Sequence, residues 1–150
     1  MITLTKGDLF ESQAEALVNP VNCVGVMGKG LALQFKRRFQ ENLRLYVNAC
    51  VVGKVRVGTM FVTEPFDQDA PRWIVNFPTK QNWLAPSKLE WIESGLKDLR
   101  RFLVENHVGS VAIPALGAGL GGLDWTDVRA LIERELAGLE TEVIVYEAMK

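Results

Sequence analysis

The C-terminal stretch constrains the fold more than any other part of the chain. Ser110 to Leu116 reads as a buried strand, the glycine-rich GAGLGG follows, and Val128, Leu131, Ile132 and Leu136 then recur at helical spacing until Gly138; Glu142 to Glu147 alternates as a last strand. Two strands joined through a helix cannot form a hairpin and need a right-handed crossover. Parallel strands paired in this way are buried on both faces, so helices must cover both sides. The expected fold class is therefore α/β, a three-layer α/β/α arrangement around a central mixed, largely parallel sheet.

The rest of the chain supplies the missing pieces. Ile2 to Thr5 is a short β run closed by Lys6-Gly7-Asp8, and Ala16 to Asn19 is a second one broken by Pro20. Val21 to Gly30 carries three glycines before Leu31, Phe35 and Phe39 mark one helical face, which Leu43, Tyr46, Val47 and Cys50 continue as far as Gly53. Gly58 to Thr63 and Arg72 to Phe77 read as strands around the turn PFDQDAP; Ser87 and Glu90 make a capping box for a helix bearing Leu89, Ile92, Leu96, Leu99 and Leu103. Neither a repeat nor a linker interrupts the 150 residues, so one domain spanning 1–150 is expected.

Two glycine-rich loops each leave a strand and enter a helix: Asn22 to Gly30, and Leu116 to Gly122. Glycine lets successive backbone N–H groups converge on an anion, and a helix N-terminus adds a positive dipole end, so the pair suits a diphosphate. Tight turns alone would also use these glycines. Neither loop is a P-loop or a dinucleotide fingerprint, which disfavours ATP hydrolysis and hydride transfer. Asp8 could accept from an exocyclic amine such as that of adenine, or cap the short segment after it. Lys80 follows the strand that ends at Pro78-Thr79 and projects toward the sheet edge where open α/β sheets bind ligands. A partly deprotonated amine there can hold a ribose as a Schiff base, and a solvated surface lysine is the alternative.

Charge and cysteines narrow the partners. With 17 Lys plus Arg against 18 Asp plus Glu the formal net charge is −1, so no overall positive field holds bulk nucleic acid, and any such contact should depend only weakly on salt. Lys36-Arg37-Arg38 is either a solvated helix face or a local guide for a strand of DNA. Trp83 is either core packing or a stacking platform for a base, whereas Trp73, Trp91 and Trp125 read as packing residues. One histidine, His107 at a helix end, and two cysteines without CxxC spacing make a zinc site untenable; no metal and no cofactor are expected. The start MITLTKGDLFE has no basic region leading into an apolar run, and no apolar stretch nears the ~18–20 residues that span a bilayer, so the chain is expected in the cytoplasm with free thiols and no membrane contact.

The joint occurrence of GDLF, ALVNPVN, GVMGKGLALQFKRRF, NFPTK, the helix from about Lys88 and IPALGAGLGGLDW resembles the macrodomain family over essentially the whole chain. NFPTKQNW followed by SKLEWIESGLKDL is similar to its branch of lysine-dependent ADP-ribosyl glycohydrolases, nearest to the DarG antitoxins. That resemblance implies a macrodomain that binds ADP-ribose and removes it from thymidine in single-stranded DNA, reversing the work of a DarT-type toxin. It gives Asp8 the adenine amine, with the Leu9 backbone beside the ring. Asn22, Gly28, Lys29, Gly30 and Leu31 are then assigned to the distal ribose and one phosphate, and Leu116, Gly117, Ala118, Gly119, Leu120 and Gly121 to the diphosphate. Thr79 lines the site and Lys80 is the catalytic residue. Protein-deADP-ribosylating relatives carry an Asp where this chain has Gly121, which leaves Asp124 as the nearest acid and argues against acyl-ester substrates. A monomer is expected, with the toxin bound through a further C-terminal region of the kind DarG proteins carry, of which residues 1–150 would be the excised catalytic part. A non-catalytic ADP-ribose reader and an ADP-ribose 1″-phosphate phosphatase are the competing functions.

Overall fold

The computed structural model describes residues 1–65, 67 and 69–148. Six strands, β1 (Ile2–Thr5), β2 (Ala16–Val21), β3 (Phe61–Thr63), β4 (Trp73–Pro78), β5 (Ser110–Ile113) and β6 (Glu142–Tyr146), form one sheet in the order β1-β6-β5-β2-β4-β3. Every neighbouring pair is parallel except the edge pair β3–β4. Four helices complete the layers: α1 (Gly30–Arg38), α2 (Gln40–Val51), α3 (Leu89–Glu105) and α4 (Trp125–Glu135).

Alternation along the strands decides which layer each side chain joins. Val18, Val75, Phe77, Val111 and Ile113 face α3 and α4, where Ile92, Leu96, Leu99 and Leu103 are fully buried. Each such side chain contributes about 1.5–3 kcal/mol by leaving water. Leu17, Ile74 and Ala112 face the other way, against Phe35 of α1 and Tyr46 and Ala49 of α2. A polar network interrupts this second layer: Asn19 Nδ2 donates to Asn76 Oδ1 (3.0 Å), while Asn76 and Asn42 exchange side-chain bonds (2.9 and 3.2 Å) and Thr63 donates to Asn42 Oδ1 (2.7 Å). It ties β2, β4, β3 and α2 in one register, since burying these amides unpaired would be costly.

Four sequence expectations change. The helical pattern from Leu31 to Cys50 is broken at Phe39, whose φ of −130° and ψ of 78° close α1 and open α2. The strand expected from Gly58 begins only at Phe61, because the Met60 N–H donates across to Asp98 Oδ2 on α3 (2.7 Å) instead of to a ladder. Ser87 does not cap α3: Lys88 holds that position, and the Ser87 hydroxyl is buried without a protein partner. Finally, β2 continues through Pro20 to Val21, pairing there with β4 alone. A proline missing its N–H fits because β5 pairs with β2 only at Ala16 and Leu17 and then diverges.

Candidate active site

That divergence lies at the carboxyl ends of β2 and β5, where open α/β sheets form their ligand-binding crevice. The chain leaves β2 toward α1 on one face and β5 toward α4 on the other, which is the switch-point arrangement where open α/β sheets bind ligands. Both glycine-rich loops line this crevice and touch: a Cβ on Gly30 would lie 3.3 Å from Leu120 Cδ1.

The first loop is shaped by a buried amide. Asn22, 7% exposed, donates through Nδ2 to the Val26 carbonyl (2.8 Å) and accepts at Oδ1 from the N–H groups of Val24 (3.1 Å) and Val26 (3.4 Å). The Tyr46 hydroxyl lies 2.8 Å from both Asn22 Oδ1 and the Asn22 carbonyl, and burial pushes its phenol up, so it stays a donor. These bonds commit Asn22 to holding the loop. Gly30, at φ +58°, then starts α1, whose N-cap, Lys29, makes no side-chain bond and whose first turn contains no acid. Among the described residues, the N–H groups of Gly28, Lys29, Gly30 and Leu31 have no protein acceptor, so an unneutralised helix N-terminus faces the crevice.

Different physics shapes the second loop. Gly117 takes φ +69°, and Ala118 and Leu116 spend their N–H groups on Ala115 and Pro114. Among the described residues, the N–H groups of Gly117, Gly119, Leu120 and Gly121 have no protein acceptor. Gly121 is required by space, since a Cβ there would stand 2.4 Å from the Gly117 carbonyl oxygen and 2.5 Å from Ser87 Oγ. The chain therefore cannot carry an aspartate at this position on the present backbone. Asp124 does not replace it in the crevice, because its carboxylate caps α4 by accepting from the Thr126 N–H (2.8 Å).

Lys80 bridges the two loops. Its carbonyl accepts from the Cys23 thiol (3.4 Å) and the Gln81 carbonyl from the Cys23 N–H (3.3 Å), while its Nζ donates to the Leu120 carbonyl at 3.0 Å. Burial, helped by Cys50 nearby, pushes the Cys23 thiol up and keeps it protonated as a donor. Buried Thr79 fixes the approach through its N–H to the Val21 carbonyl (2.8 Å). The lysine is thus held from one loop and aimed at the other.

The remaining expectations divide. Asp8 is exposed and caps the short 3-10 turn Leu9–Glu11 by accepting from the Phe10 N–H (2.9 Å); the Leu9 side chain is buried while its N–H has no acceptor among the described residues. Leu116 is fully buried and Leu31 half-buried, so both are available to a ligand mainly through the backbone. Lys36, Arg37 and Arg38 close α1, about 12 Å of helix rise from Gly30, with the Arg38 guanidinium 4.3 Å over the Phe10 ring; they lie away from the mouth. Trp83 is 54% exposed, which excludes core packing for it, whereas Trp73 is buried against Phe102. Tyr46 and Ser87 read in the sequence only as part of a helical face and of a capping box, because no local pattern connects either to a glycine loop far along the chain. No group of side chains with metal-binding potential occurs among the described residues, and no helix is long and apolar enough to cross a membrane.

Known proteins share this architecture. The Macro domain family matches residues 18–132. A DNA ADP-ribosyl glycohydrolase of Mycobacterium tuberculosis is 51% identical over 147 residues, which cover 97% of this chain and 42% of that protein. The chain therefore spans less than half the length of that curated relative. Among solved structures, the macrodomain of Mycobacterium tuberculosis DarG superimposes with a TM-score of 0.97 at 50% identity, covering 99% of both chains. Thermosipho africanus DarTG in complex with ADP-ribose gives 0.92 at 36% identity, covering 99% of this chain and 42% of that one.

Proposed function

We propose that this chain, which belongs to the macro domain family, is the catalytic module of a DNA ADP-ribosyl glycohydrolase, releasing ADP-ribose from thymine bases of single-stranded DNA and so reversing modification by a DarT-type toxin. Relatives about half identical to this chain over the aligned residues carry that enzyme's name, and one similar structure holds ADP-ribose. The observation that carries the reading is the position of the Lys80 Nζ, 3.0 Å from the Leu120 carbonyl at the meeting point of two loops with unpaired N–H groups. In this reading residues 1–150 act as one cytoplasmic unit, and contact with the toxin falls outside them.

The ligand follows from the donors. The N–H groups of Gly117, Gly119, Leu120 and Gly121 and the start of α1 receive the diphosphate, which needs anion-binding groups from two sides. The adenine lies toward Asp8 and the free Leu9 N–H, and the distal ribose extends past Gly28 and Gly30 to Lys80. Asn22 supports that wall through its loop bonds.

Lys80 performs both halves of the cleavage. Its ammonium passes a proton to the departing thymine as the bond from the anomeric carbon to the base breaks; the amine so produced bonds to that carbon, and ring opening yields a Schiff base. Water then adds to the carbon and the Nζ bond breaks, returning the lysine and free ADP-ribose. No carboxylate is needed for the leaving group, which agrees with the lack of room at Gly121.

The test offers the protein ADP-ribosylated single-stranded DNA, ADP-ribosylated protein and ADP-ribose 1″-phosphate side by side. ADP-ribose release from the DNA is expected, with Lys80→Ala slowing it at least about 100-fold while ADP-ribose binding persists. Full turnover in the variant would remove the mechanism. Binding without release from any substrate would make the chain a reader, and inorganic phosphate as the sole product would make it a phosphatase.

A further inference from the structure

We infer that Trp83 is a stacking platform for a nucleobase flanking the modified thymine, and hence a specificity-determining residue for substrates longer than one nucleotide. The inference rests on the glycohydrolase reading and names a further part of its substrate. Trp83 is 54% exposed and Leu84 beside it 77%, and neither belongs to either hydrophobic core cluster. Among the described residues, the indole makes no aromatic pair, no cation–π contact and no hydrogen bond. An exposed indole with no internal partner, beside the likewise exposed Leu84, leaves a ring face on which a base can stack.

Its loop is nevertheless held in place. The Gln81 carbonyl is bonded to the Cys23 N–H, Asn82 Oδ1 accepts from the N–H groups of Leu84 (3.0 Å) and Ala85 (2.9 Å), and the Ser87 N–H donates to the Gly121 carbonyl (3.0 Å). The turn that presents Trp83 is thus anchored to both glycine loops. Lys80 lies three residues before it, so the two Cα atoms are at most about 11 Å apart. A DNA strand whose modified base has its ribose at Lys80 brings its neighbouring nucleotides within reach of this turn.

Charge selects stacking as the means of holding them. The net charge is −1, and the one run of three basic residues lies at the far end of α1, so no basic run beside the site supplies a grip on the phosphates. Base–aromatic stacking tolerates any sequence, which suits an enzyme reading a modification instead of a context.

The measurement compares an ADP-ribosylated thymidine nucleoside with an ADP-ribosylated single-stranded oligonucleotide for the intact protein, Trp83→Ala and Trp83→Phe. Trp83→Ala should raise the ratio of oligonucleotide KM to nucleoside KM about 5- to 150-fold, with Phe restoring most of it. Titration of the same two ligands into Lys80→Ala, with and without Trp83→Ala, gives the corresponding Kd ratio even if turnover is never seen. An unmoved ratio in both measurements overturns the inference and leaves the rim to a protein partner. If the intact protein cleaves neither ligand while the Kd ratio shifts, the glycohydrolase reading fails and the platform stands.

Discussion

The two glycine-rich loops look alike in composition and are built in opposite ways. In the first, side chains do the shaping: Asn22 and Tyr46 hold the backbone from inside, and the helix that follows is left uncapped. In the second, missing side chains do it: Gly121 fits only because nothing projects toward Gly117 and Ser87, and the helix that follows is capped by Asp124. Glycine content alone therefore identifies an anion-binding region without saying what maintains it. One loop should fail when something is removed, the other when something is added.

The largest effect is expected from an addition. Gly121→Ala places a methyl group 2.4 Å from the Gly117 carbonyl oxygen, backbone that cannot swing aside as a side chain would. The loop must open, at about 1–3 kcal/mol of overpacking, and the converging N–H groups should lose at least about tenfold in ADP-ribose affinity. Calorimetric titration with ADP-ribose and a thermal melt measure both. An unchanged affinity would break the comparison, because it would mean that the second loop can reshape as freely as a surface turn.

A removal comes next. Asn22→Ala strips the acceptor from Val24 and Val26 N–H and the donor from the Val26 carbonyl, for an expected stability loss of about 1–3 kcal/mol and a smaller loss of ADP-ribose affinity than Gly121→Ala causes. Denaturant unfolding beside the same titration separates the two. Affinity lost with stability intact would show that Asn22 touches the ribose directly, as the resemblance implied, and the contrast between the loops would narrow.

The fold was readable because the periodicities of the strands and helices are local, whereas the departures from expectation come from partners far along the chain. Ser87 and Glu90 have the spacing of a capping box, yet Ser87 spends its N–H on Gly121 and its hydroxyl lies under the second loop. Met60 gives its N–H to Asp98 on another element, which shortens a strand whose residue types suit one. Within the site, Lys80 and the glycines announce themselves by residue type and by their place after a strand. The reason for Gly121 does not, because it depends on how the loop folds back onto the Gly117 carbonyl and on the Ser87 hydroxyl, which tertiary packing brings beside it.

The smallest effect concerns Asp124, where stability and chemistry can be told apart by two substitutions. As the cap of α4, Asp124 accepts from Thr126, and Asp124→Ala should cost about 0.5–2 kcal/mol. For a domain of this size that is roughly a 1–8 °C fall in Tm, at about 2–4 °C per kcal/mol. Asparagine caps as well as aspartate, so Asp124→Asn should melt like the parent protein. ADP-ribose release should stay within about twofold in both, since a carboxylate occupied at the helix end supplies no proton to the crevice, whereas loss of a general acid costs about 100-fold or more. If Asp124 were that acid, both variants would lose turnover and the asparagine protein would do so at an unchanged Tm. That result would give the second loop a working acid, three residues beyond the position where the resemblance places one in the protein-deADP-ribosylating branch.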